Sequence, residues 1–335
     1  MIETLILGAS GYVGGELLRL LAAHPNIRPA LLVGDSDAGK PVGEVHPALA
    51  LAYPDAEIRK FEPAMLNDAG LVFAALPHGK SQELAPAILG AGVPFVDLGA
   101  DFRLDSAEEY ARWYGEEHHA PDLLDTFVYG IPEFHRERIK SAKAVSAAGC
   151  YATAAILALK PLVEAGLIQP GTITVDGLSG VSGAGKAPTA KTHFDSVHGS
   201  IGAYGLLTHR HTGEMEMMLR QQVLFTPHLV PMDRGLLVTA YGAAAQDGDP
   251  LAVLAKAYRD EPFIRVSEQP PATKALAGSN AAHLTARRCD RTGKILAQCA
   301  IDNLGKGAAG QMIQCANIML GIGESVGLPV AGIWP

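Results

Sequence analysis

Hydrophobic residues in the first 150 positions fall in short continuous runs that alternate with segments of helical character. Uninterrupted apolar runs are typical of strands buried on both faces of a parallel sheet, and the helices between them would cover those faces. The pattern therefore predicts a doubly wound α/β domain. The predicted strands are Thr4–Leu7, Ala30–Val33, Leu71–Ala75, Val93–Val96 and Ala144–Ser146, and the predicted helices are Gly14–Ala23 and Ser81–Leu89.

The pattern changes after Ser146. Residues 151–165 form a long apolar helix in which Pro161 is expected to introduce a kink, and Gly166 is placed to cap its C-terminus. The strands that follow predict an α+β domain with a mixed, mainly antiparallel sheet and helices on one face. Apolar residues of 310–320 share one broad helical face, which indicates a helix packed into a core. The other predicted elements are strands Gly171–Asp176 and Gly235–Tyr241 and helix Leu251–Tyr258.

Length and charge narrow the classes of function. The chain has 335 residues, enough for about two domains. Lys and Arg total 27 against 35 Asp and Glu, and a chain with a net charge of −8 is a poor partner for nucleic acid. No run approaches the ~18 apolar residues of a membrane span, and the N-terminus lacks the features of a signal peptide. We therefore expect a cytoplasmic protein that acts on a small molecule, without a membrane or nucleic-acid partner.

Three glycines follow the first predicted strand in the spacing G-x-x-G-x-x-G, at Gly8, Gly11 and Gly14. The first permits a tight turn, the second lets the backbone approach a pyrophosphate, and the third lets the helix pack closely on the strand. The helix N-terminus then directs amide groups at the phosphates. Their place directly after the first strand favours a Rossmann-type dinucleotide site over a plain strand-to-helix turn. The residues between them that we expect to contact a cofactor are Ser10, Tyr12 and Val13.

Cys150 is the cysteine whose surroundings suggest chemistry. It follows Gly149 and begins the long apolar helix, so its thiol would lie beside unpaired amides at the positive end of the helix dipole. That position favours the thiolate, which is a strong nucleophile near neutral pH. A single cysteine can instead be a small buried hydrophobe, and we assign that role to the other three. They are Cys289, Cys299 and Cys315, and the sequence contains no C-x-x-C motif.

A nucleophilic cysteine needs an acid/base partner, and His209 and His211 are the candidates. In an extended segment the two imidazoles face the same side, whereas in a helix they diverge by about 200°. A His-x-His pair on a strand can also bind zinc, but further ligands are not evident in the sequence, so we expect no metal.

The segment Gly180-Val181-Ser182-Gly183-Ala184-Gly185-Lys186 fits the spacing G-x-x-x-x-G-K of a phosphate-binding loop. Such a loop needs Ser or Thr directly after the lysine to ligate magnesium, and Ala187 stands there. The sequence therefore argues against an NTPase, although the loop could line an anion or cofactor pocket.

Together these motifs resemble the N-acetyl-gamma-glutamyl-phosphate reductase family (N-acetyl-glutamate semialdehyde dehydrogenases, type 1-like), within the aspartate-semialdehyde dehydrogenase-like group. The resemblance runs along nearly the whole chain. The chain has Ala147-Ala148 where the family usually has Asn-Pro, and Ala152 and Gly213 where it usually has Pro. The matching segments are 8–17, 75–79, 97–104, 129–133, 149–151, 179–186, 209–212, 227–232 and 302–311.

The resemblance implies a dinucleotide-binding domain at 1–147 plus 305–335 and a catalytic and oligomerisation domain at 148–304. It implies NADPH-dependent reduction of an acyl phosphate to an aldehyde by a homo-oligomer, either a dimer or a tetramer. Cys150 would attack the acyl phosphate to form a thioester, and a histidine would handle the proton after hydride transfer; we favour His211 over His209. Arg103 is assigned to the substrate phosphate, and Arg210 to the substrate carboxylate or a structural ion pair. Further expected cofactor residues are Ser36, Pro77, His78, Ser182, Gly183 and Asn303.

Two other functions stay open at this point: a related acyl-phosphate reductase of lysine biosynthesis, and a non-catalytic dinucleotide-binding regulator.

The residues that bear on the choice between NADP and NAD point in opposite directions. Asp35 follows the second predicted strand, where an acid normally binds the ribose hydroxyls of NAD and repels a 2′-phosphate. Family members often carry Arg near this position, but Ser36, Lys40 and nearby backbone amides could still bind the phosphate. The resemblance therefore implies a preference for NADP that is weaker than an arginine would give.

Overall fold

The computed structural model describes residues 1–334, which divide into two compact units. The first unit comprises Met1–Ala148 and Ala308–Leu328, and the second comprises Gly149–Gly307 and residues 329–334. The division predicted from the sequence instead gave 305–307 and 329–334 to the first unit and Ala148 to the second.

Backbone hydrogen bonds explain why residues 329–334 belong to the second unit. The Asn280 amide donates to the Pro329 carbonyl at 2.8 Å, and the Ile333 amide donates to the Ala277 carbonyl at 2.7 Å. Backbone hydrogen bonds of this kind do not affect the pattern of hydrophobic residues, so that pattern could not assign residues 329–334 to a unit.

Within the described chain, the first unit is built on one sheet of seven parallel strands. The strands are β1 (Ile2–Leu7), β2 (Ile27–Val33), β3 (Ile58–Arg59), β4 (Leu71–Ala74), β5 (Phe95–Asp97), β6 (Phe127–Gly130) and β7 (Ala144–Ala147). Their spatial order is β3-β2-β1-β4-β5-β7-β6. The order therefore switches direction at β1, and in open α/β sheets ligands bind outside the carboxyl ends of the strands at such a switch.

Helices lie between these strands along the chain. They are α1 (Tyr12–Leu21), α2 (Val42–Val45), α3 (Lys80–Gly90), α4 (Ala107–Tyr114) and α5 (Pro132–Lys140), and the unit also contains α10 (Gly310–Met319). Strands β4, β5 and β7 are buried along their whole length, as their apolar runs predicted, and the α/β class is confirmed. Helix α1 begins at Tyr12 rather than Gly14, because Gly11 is the last extended residue before it. Helix α10 packs against α5 and the strands β5 to β7.

The second unit is built on a mixed sheet, which has seven strands within the described chain. They are β8 (Ile173–Gly180), β9 (Gly202–Ala203), β10 (Val223–Val230), β11 (Leu236–Ala243), β12 (Ile264–Val266), β13 (Ala282–Cys289) and β14 (Lys294–Ile301). Their order is β12-β13-β14-β11-β8-β10-β9. Two pairs, β8 with β10 and β12 with β13, are parallel and the others are antiparallel, so the predicted mixed sheet is confirmed.

The helices of the second unit are α6 (Cys150–Glu164), α7 (Phe194–Val197), α8 (His211–Leu219) and α9 (Pro250–Ala257). Helix α6 is buried along most of its length and packs on β11 and β14. It continues through Pro161 to Glu164, and Gly166 follows with φ +68, the left-handed backbone predicted for the residue beyond the helix end.

Candidate active site

Cys150 is the first residue of α6, and its side chain is half-buried. Gly149 is extended (φ −68, ψ 151), so the helix begins at the cysteine and the first amides of α6 have no intrahelical acceptor. The buried apolar body of α6 fixes this helix in the unit. The thiol therefore lies at the end of a rigid helix that stabilises an anion.

A π-helical turn, Gly305–Ala309, reaches Cys150 through its central glycine. A Cβ on Gly307 would lie 2.8 Å from the Cβ of Cys150, so a side chain there would displace the cysteine. The buried carboxylate of Asp302 holds the start of this turn, because it accepts hydrogen bonds from backbone amides and pairs with Arg234 at 2.7 Å. Single π-helical turns occur frequently at functional sites.

The two candidate histidines lie together beside the residue that follows Cys150. His209 precedes α8 and His211 is its first residue. Their ring centroids are 4.8 Å apart, and they lie 5.6 and 6.0 Å, respectively, from the ring centroid of Tyr151. From the sequence, the segment that carries the two histidines could be either a strand or a helix. In the structure, His209 lies in a loop and His211 begins the helix that follows it.

Glu214 connects the start of α6 to one of these imidazoles. Its fully buried carboxylate accepts a hydrogen bond from the Gly149 amide at 2.9 Å through Oε2, and Oε1 lies 3.8 Å from Nε2 of His211. Nδ1 of His209 instead accepts a hydrogen bond from the His211 amide at 3.2 Å. A carboxylate faces His211, whereas a lone pair of His209 is already used, so the geometry favours His211 as the proton acceptor.

Two phenols complete the surroundings of the cysteine. Tyr151 donates a hydrogen bond to the His228 carbonyl at 2.9 Å, and Tyr204 donates to the Tyr151 hydroxyl at 3.4 Å. Burial raises the pKa of Tyr204 to about 12 and also raises the pKa of Tyr151, and negative charge on Cys150 acts in the same direction on both. Both phenols therefore remain protonated beside the nucleophile at physiological pH.

The glycine-rich loop after β8 directs its amides at the protein's own carbonyls. The amides of Val181 and Ser182 donate to the carbonyls of Met232 and Asp233 at 2.8 and 3.1 Å. A P-loop aims such amides at phosphate instead. The backbone of this loop is thus a second argument against an NTPase, independent of Ala187.

Ser182, Gly183 and Asn303, which we predicted to bind the cofactor, form one connected group. Nδ2 of Asn303 donates to Oγ of Ser182 at 2.9 Å, and Oδ1 accepts from the Gly235 amide at 2.7 Å. A Cβ on Gly183 would lie 2.9 Å from Oγ of Ser179. The structure brings the three residues together, and their role in cofactor binding stays a prediction.

In the first unit, the loop after β1 has the shape that a dinucleotide phosphate requires. Gly8 has φ +87, and a side chain there would clash with the Ala75 carbonyl. A Cβ on Gly14 would lie 2.6 Å from Cα of Ala9, so this glycine lets α1 pack against the turn. Among the described residues, a Cβ on Gly11 would approach only the Gly8 carbonyl, at 3.5 Å. The open space at Gly11 and the N-terminus of α1 therefore fit a pyrophosphate.

The other predicted cofactor residues of this unit lie around the same edge of the sheet. Tyr12 is exposed and Val13 half-buried in the first turn of α1. A Cβ on Gly34 would lie 2.7 Å from Oγ of Ser10, which puts the serine directly beside the end of β2. Pro77 is exposed in the loop after β4.

The loop after β2 carries the residues that bear on NADP or NAD preference. Asp35 and Ser36 are exposed. Lys40 forms an ion pair with Asp37 at 2.9 Å, and this hydrogen bond raises the pKa of Lys40. Lys40, which we considered as a ligand of a 2′-phosphate, therefore already has a carboxylate partner.

His78 follows β4, and two carboxylates flank its ring. Nδ1 lies 3.1 Å from Oδ1 of Asp101 and Nε2 lies 2.6 Å from Oε1 of Glu116, while the ring stacks on Tyr114 with centroids 4.6 Å apart. Asp101 also accepts a hydrogen bond from the Gly79 amide at 2.8 Å, at the start of α3. The protein's own carboxylate thus occupies this helix N-terminus, and both ring nitrogens of His78 already face carboxylates.

The two predicted substrate arginines have different surroundings. Arg103 is buried in the loop after β5, where Nη2 donates to the Leu98 carbonyl at 2.7 Å. Arg210 is exposed directly before α8, between the two histidines. Their contacts with substrate stay predictions.

Asp97 is a fully buried carboxyl at the end of β5. Its Oδ1 accepts hydrogen bonds from Oγ of Ser81 at 2.7 Å and from the Gly99 amide at 2.8 Å. Burial nevertheless raises the pKa of Asp97 to about 7.

The Asp97→Asn variant is expected to flatten part of the pH dependence of stability. The pKa of Asp97 is about 7 in the folded protein and 3.8 in the unfolded chain. Between these two pH values the folded state therefore binds the proton more tightly than the unfolded state does. The free energy of unfolding therefore falls as pH rises from about 4 to about 7, and asparagine removes this contribution. Thermal midpoints of both proteins across this pH range measure the effect, and identical slopes would contradict the assignment.

Among residues 1–334, no group of three or more His, Cys, Asp or Glu side chains could hold a metal ion. In the same residues, none of the helices combines the length and apolarity needed to cross a bilayer.

Sequence reasoning missed Glu214, Tyr204 and Gly307. Glu214 lies three residues after His211, a spacing that places both on one helix face, so a local signal was available. Tyr204 and Gly307 reach Cys150 through tertiary contacts only, and no spacing in the sequence indicates them.

Two family models match the chain. The model described as semialdehyde dehydrogenase, NAD binding domain matches residues 3–142, and the model described as semialdehyde dehydrogenase, dimerisation domain matches residues 150–303. Curated relatives named N-acetyl-gamma-glutamyl-phosphate reductase match from end to end. The protein of Desulforudis audaxviator is 44% identical and that of Pseudomonas aeruginosa 41% identical, and each alignment covers 100% of both chains.

Solved structures of aspartate semialdehyde dehydrogenases share the fold. The enzyme II of Vibrio cholerae superposes with a TM-score of 0.72 at 17% identity, over 96% of this chain and 98% of that one. The Candida albicans enzyme, solved with NADP, gives a TM-score of 0.71 at 17% identity over the same shares of the two chains. The two-domain architecture is therefore that of semialdehyde dehydrogenases.

Proposed function

Because the chain belongs to the family of N-acetyl-gamma-glutamyl-phosphate reductases, we propose that it catalyses the reduction named by that family. The reaction converts N-acetyl-glutamyl 5-phosphate, NADPH and a proton to N-acetyl-glutamate 5-semialdehyde, NADP and phosphate, a step of arginine biosynthesis. The enzyme would act in the cytoplasm as a homo-oligomer, a dimer or tetramer, and the match to a dimerisation domain supports the assembly.

The observation that carries this proposal is the arrangement around Cys150. A half-buried thiol begins α6, and the Glu214 carboxylate links the amide before it to His211. This arrangement supplies a nucleophile and a proton acceptor held by a third group. A non-catalytic regulator would need none of the three.

The residues act in two stages. The Cys150 thiolate attacks the acyl carbon and phosphate leaves, which gives a thioester. NADPH, when bound, would supply a hydride to the thioester carbon, and a proton held by His211 would go to the carbonyl oxygen, so that a thiohemiacetal forms. As the thiohemiacetal collapses, His211 accepts the hydroxyl proton, the C–S bond breaks and the Cys150 thiolate is restored. Glu214 would stabilise the imidazolium that forms, and Arg103 and Arg210 would bind the phosphate and the carboxylate of the substrate.

The glycine cradle supports NADPH as the cofactor. Gly8, Gly11 and Gly14 shape a turn with room for a pyrophosphate, and Ser10, Tyr12 and Val13 would contact the cofactor there. Ser36 would bind the adenosine ribose, and Pro77, His78, Ser182, Gly183 and Asn303 are the other residues we propose for cofactor binding.

The test is the reverse reaction: phosphate-dependent reduction of NADP with N-acetylglutamate semialdehyde. Activity that requires both aldehyde and phosphate supports the proposal, and a protein that binds NADP without turnover would be a regulator. The same assay with the semialdehyde one carbon longer tests the alternative of a lysine-pathway enzyme.

Asp35→Arg is expected to sharpen the preference for NADP. Asp35 is exposed at the end of β2, where its charge repels a 2′-phosphate and an arginine would bind it. One charge-assisted contact contributes about 1.5–3 kcal/mol, so the ratio of kcat/KM for NADPH to that for NADH should rise roughly tenfold or more. The wild-type ratio should already exceed one. A higher kcat/KM for NADH in the wild type, or an unchanged ratio in the variant, would contradict this role of the loop.

A further inference from the structure

The preference for NADP, which belongs to the proposed function, leaves a question about charge. The loop 34–40 after β2 carries Asp35 and Asp37 and only one cation, Lys40. Because Lys40 is paired with Asp37, the loop presents a net negative charge to a cofactor. A 2′-phosphate bound here would meet this net negative charge, so a cation from outside the loop would strengthen its binding.

Backbone hydrogen bonds close this loop around the end of the neighbouring strand β3. The Gly34 amide donates to the Arg59 carbonyl at 3.0 Å, on the side of β2. On the other side, the Gly39 amide donates to the Ile58 carbonyl at 2.7 Å, and the Ile58 amide donates to the Lys40 carbonyl at 3.0 Å. Both ends of the loop are thus anchored to the last two residues of β3.

Arg59 is a cation whose backbone anchors one end of this loop. It is in parallel register with Val33, the residue before the loop. Ile58 is fully buried and Arg59 is exposed, as expected for successive strand residues on opposite faces. The Arg59 side chain is exposed, and within residues 1–334 it forms neither an ion pair nor a hydrogen bond, so its guanidinium is available to a ligand.

We propose that Arg59 is the residue that selects NADP by binding the 2′-phosphate of its adenosine. From the adjacent strand β3, Arg59 would compensate the negative charge of Asp35. It would take the role that an arginine within the loop would otherwise have. A guanidinium presents paired donors that match two phosphate oxygens, which makes it well suited to a phosphate monoester dianion.

The experiment measures nucleotide binding without turnover. Dissociation constants of 2′,5′-ADP and 5′-ADP are determined by calorimetry for the wild type, Arg59→Ala, Arg59→Lys and Lys60→Ala. Lys60 is the matched control, because it is the next residue, is also exposed and has the same charge. Both alanine variants lose one positive charge, so a difference between them reports position and not net charge.

We expect Arg59→Ala to weaken 2′,5′-ADP binding about tenfold or more and to leave 5′-ADP binding within about twofold. Lys60→Ala should change neither, and Arg59→Lys should retain part of the discrimination. Equal losses in Arg59→Ala and Lys60→Ala, or an unchanged affinity ratio in Arg59→Ala, would overturn the proposal. A wild type without preference for 2′,5′-ADP would instead refute the NADP preference itself, so the two failures are distinguishable.

Discussion

The Cys150→Ser variant is expected to lose turnover while it retains NADPH binding. Serine removes the sulfur that forms the thioester, and an alkoxide is not accessible at this position near neutral pH. The glycine cradle at Gly8–Gly14 lies in the other unit and does not depend on the thiol. Phosphate-dependent NADP reduction should fall below detection, while the fluorescence titration of NADPH should match that of the wild type.

Cys289→Ser is the control for this variant. Cys289 ends β13 and lies outside the group formed by Cys150, the two histidines and Glu214, so its serine variant should retain full activity. If Cys150→Ser keeps even a tenth of wild-type turnover, the chemistry does not pass through a covalent thioester on this residue.

The sequence predicted those parts of the fold that depend on local pattern. Apolar runs marked β1, β4 and β5, and the glycine spacing marked the turn into α1. The strand β8 was predicted only to Asp176, because Gly177 and Gly180 weaken a strand pattern. The structure supplies the reason for the first glycine: a Cβ on Gly177 would lie 2.6 Å from the ring of Tyr151. Because Gly177 has no side chain, the ring of Tyr151, the residue after Cys150, can pack directly on the strand.

The candidate site was predictable where its chemistry is carried by a residue and its immediate neighbours. Gly149-Cys150 at a helix start needs no distant contact to be recognised, and the histidine pair is visible as residue types. Our preference for His211 over His209 could not be argued from residue spacing, because the argument depends on where the Glu214 carboxylate and the His211 amide point. The same holds for Arg59, which acquires its place only through the pairing of β3 with β2.

His211→Asn is expected to lower kcat by about 10²–10⁴-fold, the usual contribution of a general acid/base. Asparagine is close to imidazole in size but cannot take up a proton, so collapse of the thiohemiacetal loses its proton acceptor. The Cys150 thiol remains in place, and a single addition of the acyl phosphate should still acylate it and release one equivalent of phosphate. Single-turnover phosphate release and steady-state kcat, measured on the same preparation, separate these two steps.

His209→Asn provides the decisive comparison, because the two imidazoles lie only 4.8 Å apart beside the same tyrosine ring. His209 uses Nδ1 to accept the His211 amide, so its replacement should disturb the start of α8 and reduce kcat less than loss of the proton acceptor does. Glu214 faces His211 and would stabilise the charge that this ring acquires during collapse. Should His209→Asn show the larger loss in kcat while His211→Asn stays near wild type, the roles are reversed, and the Glu214 contact only orients a neighbouring ring.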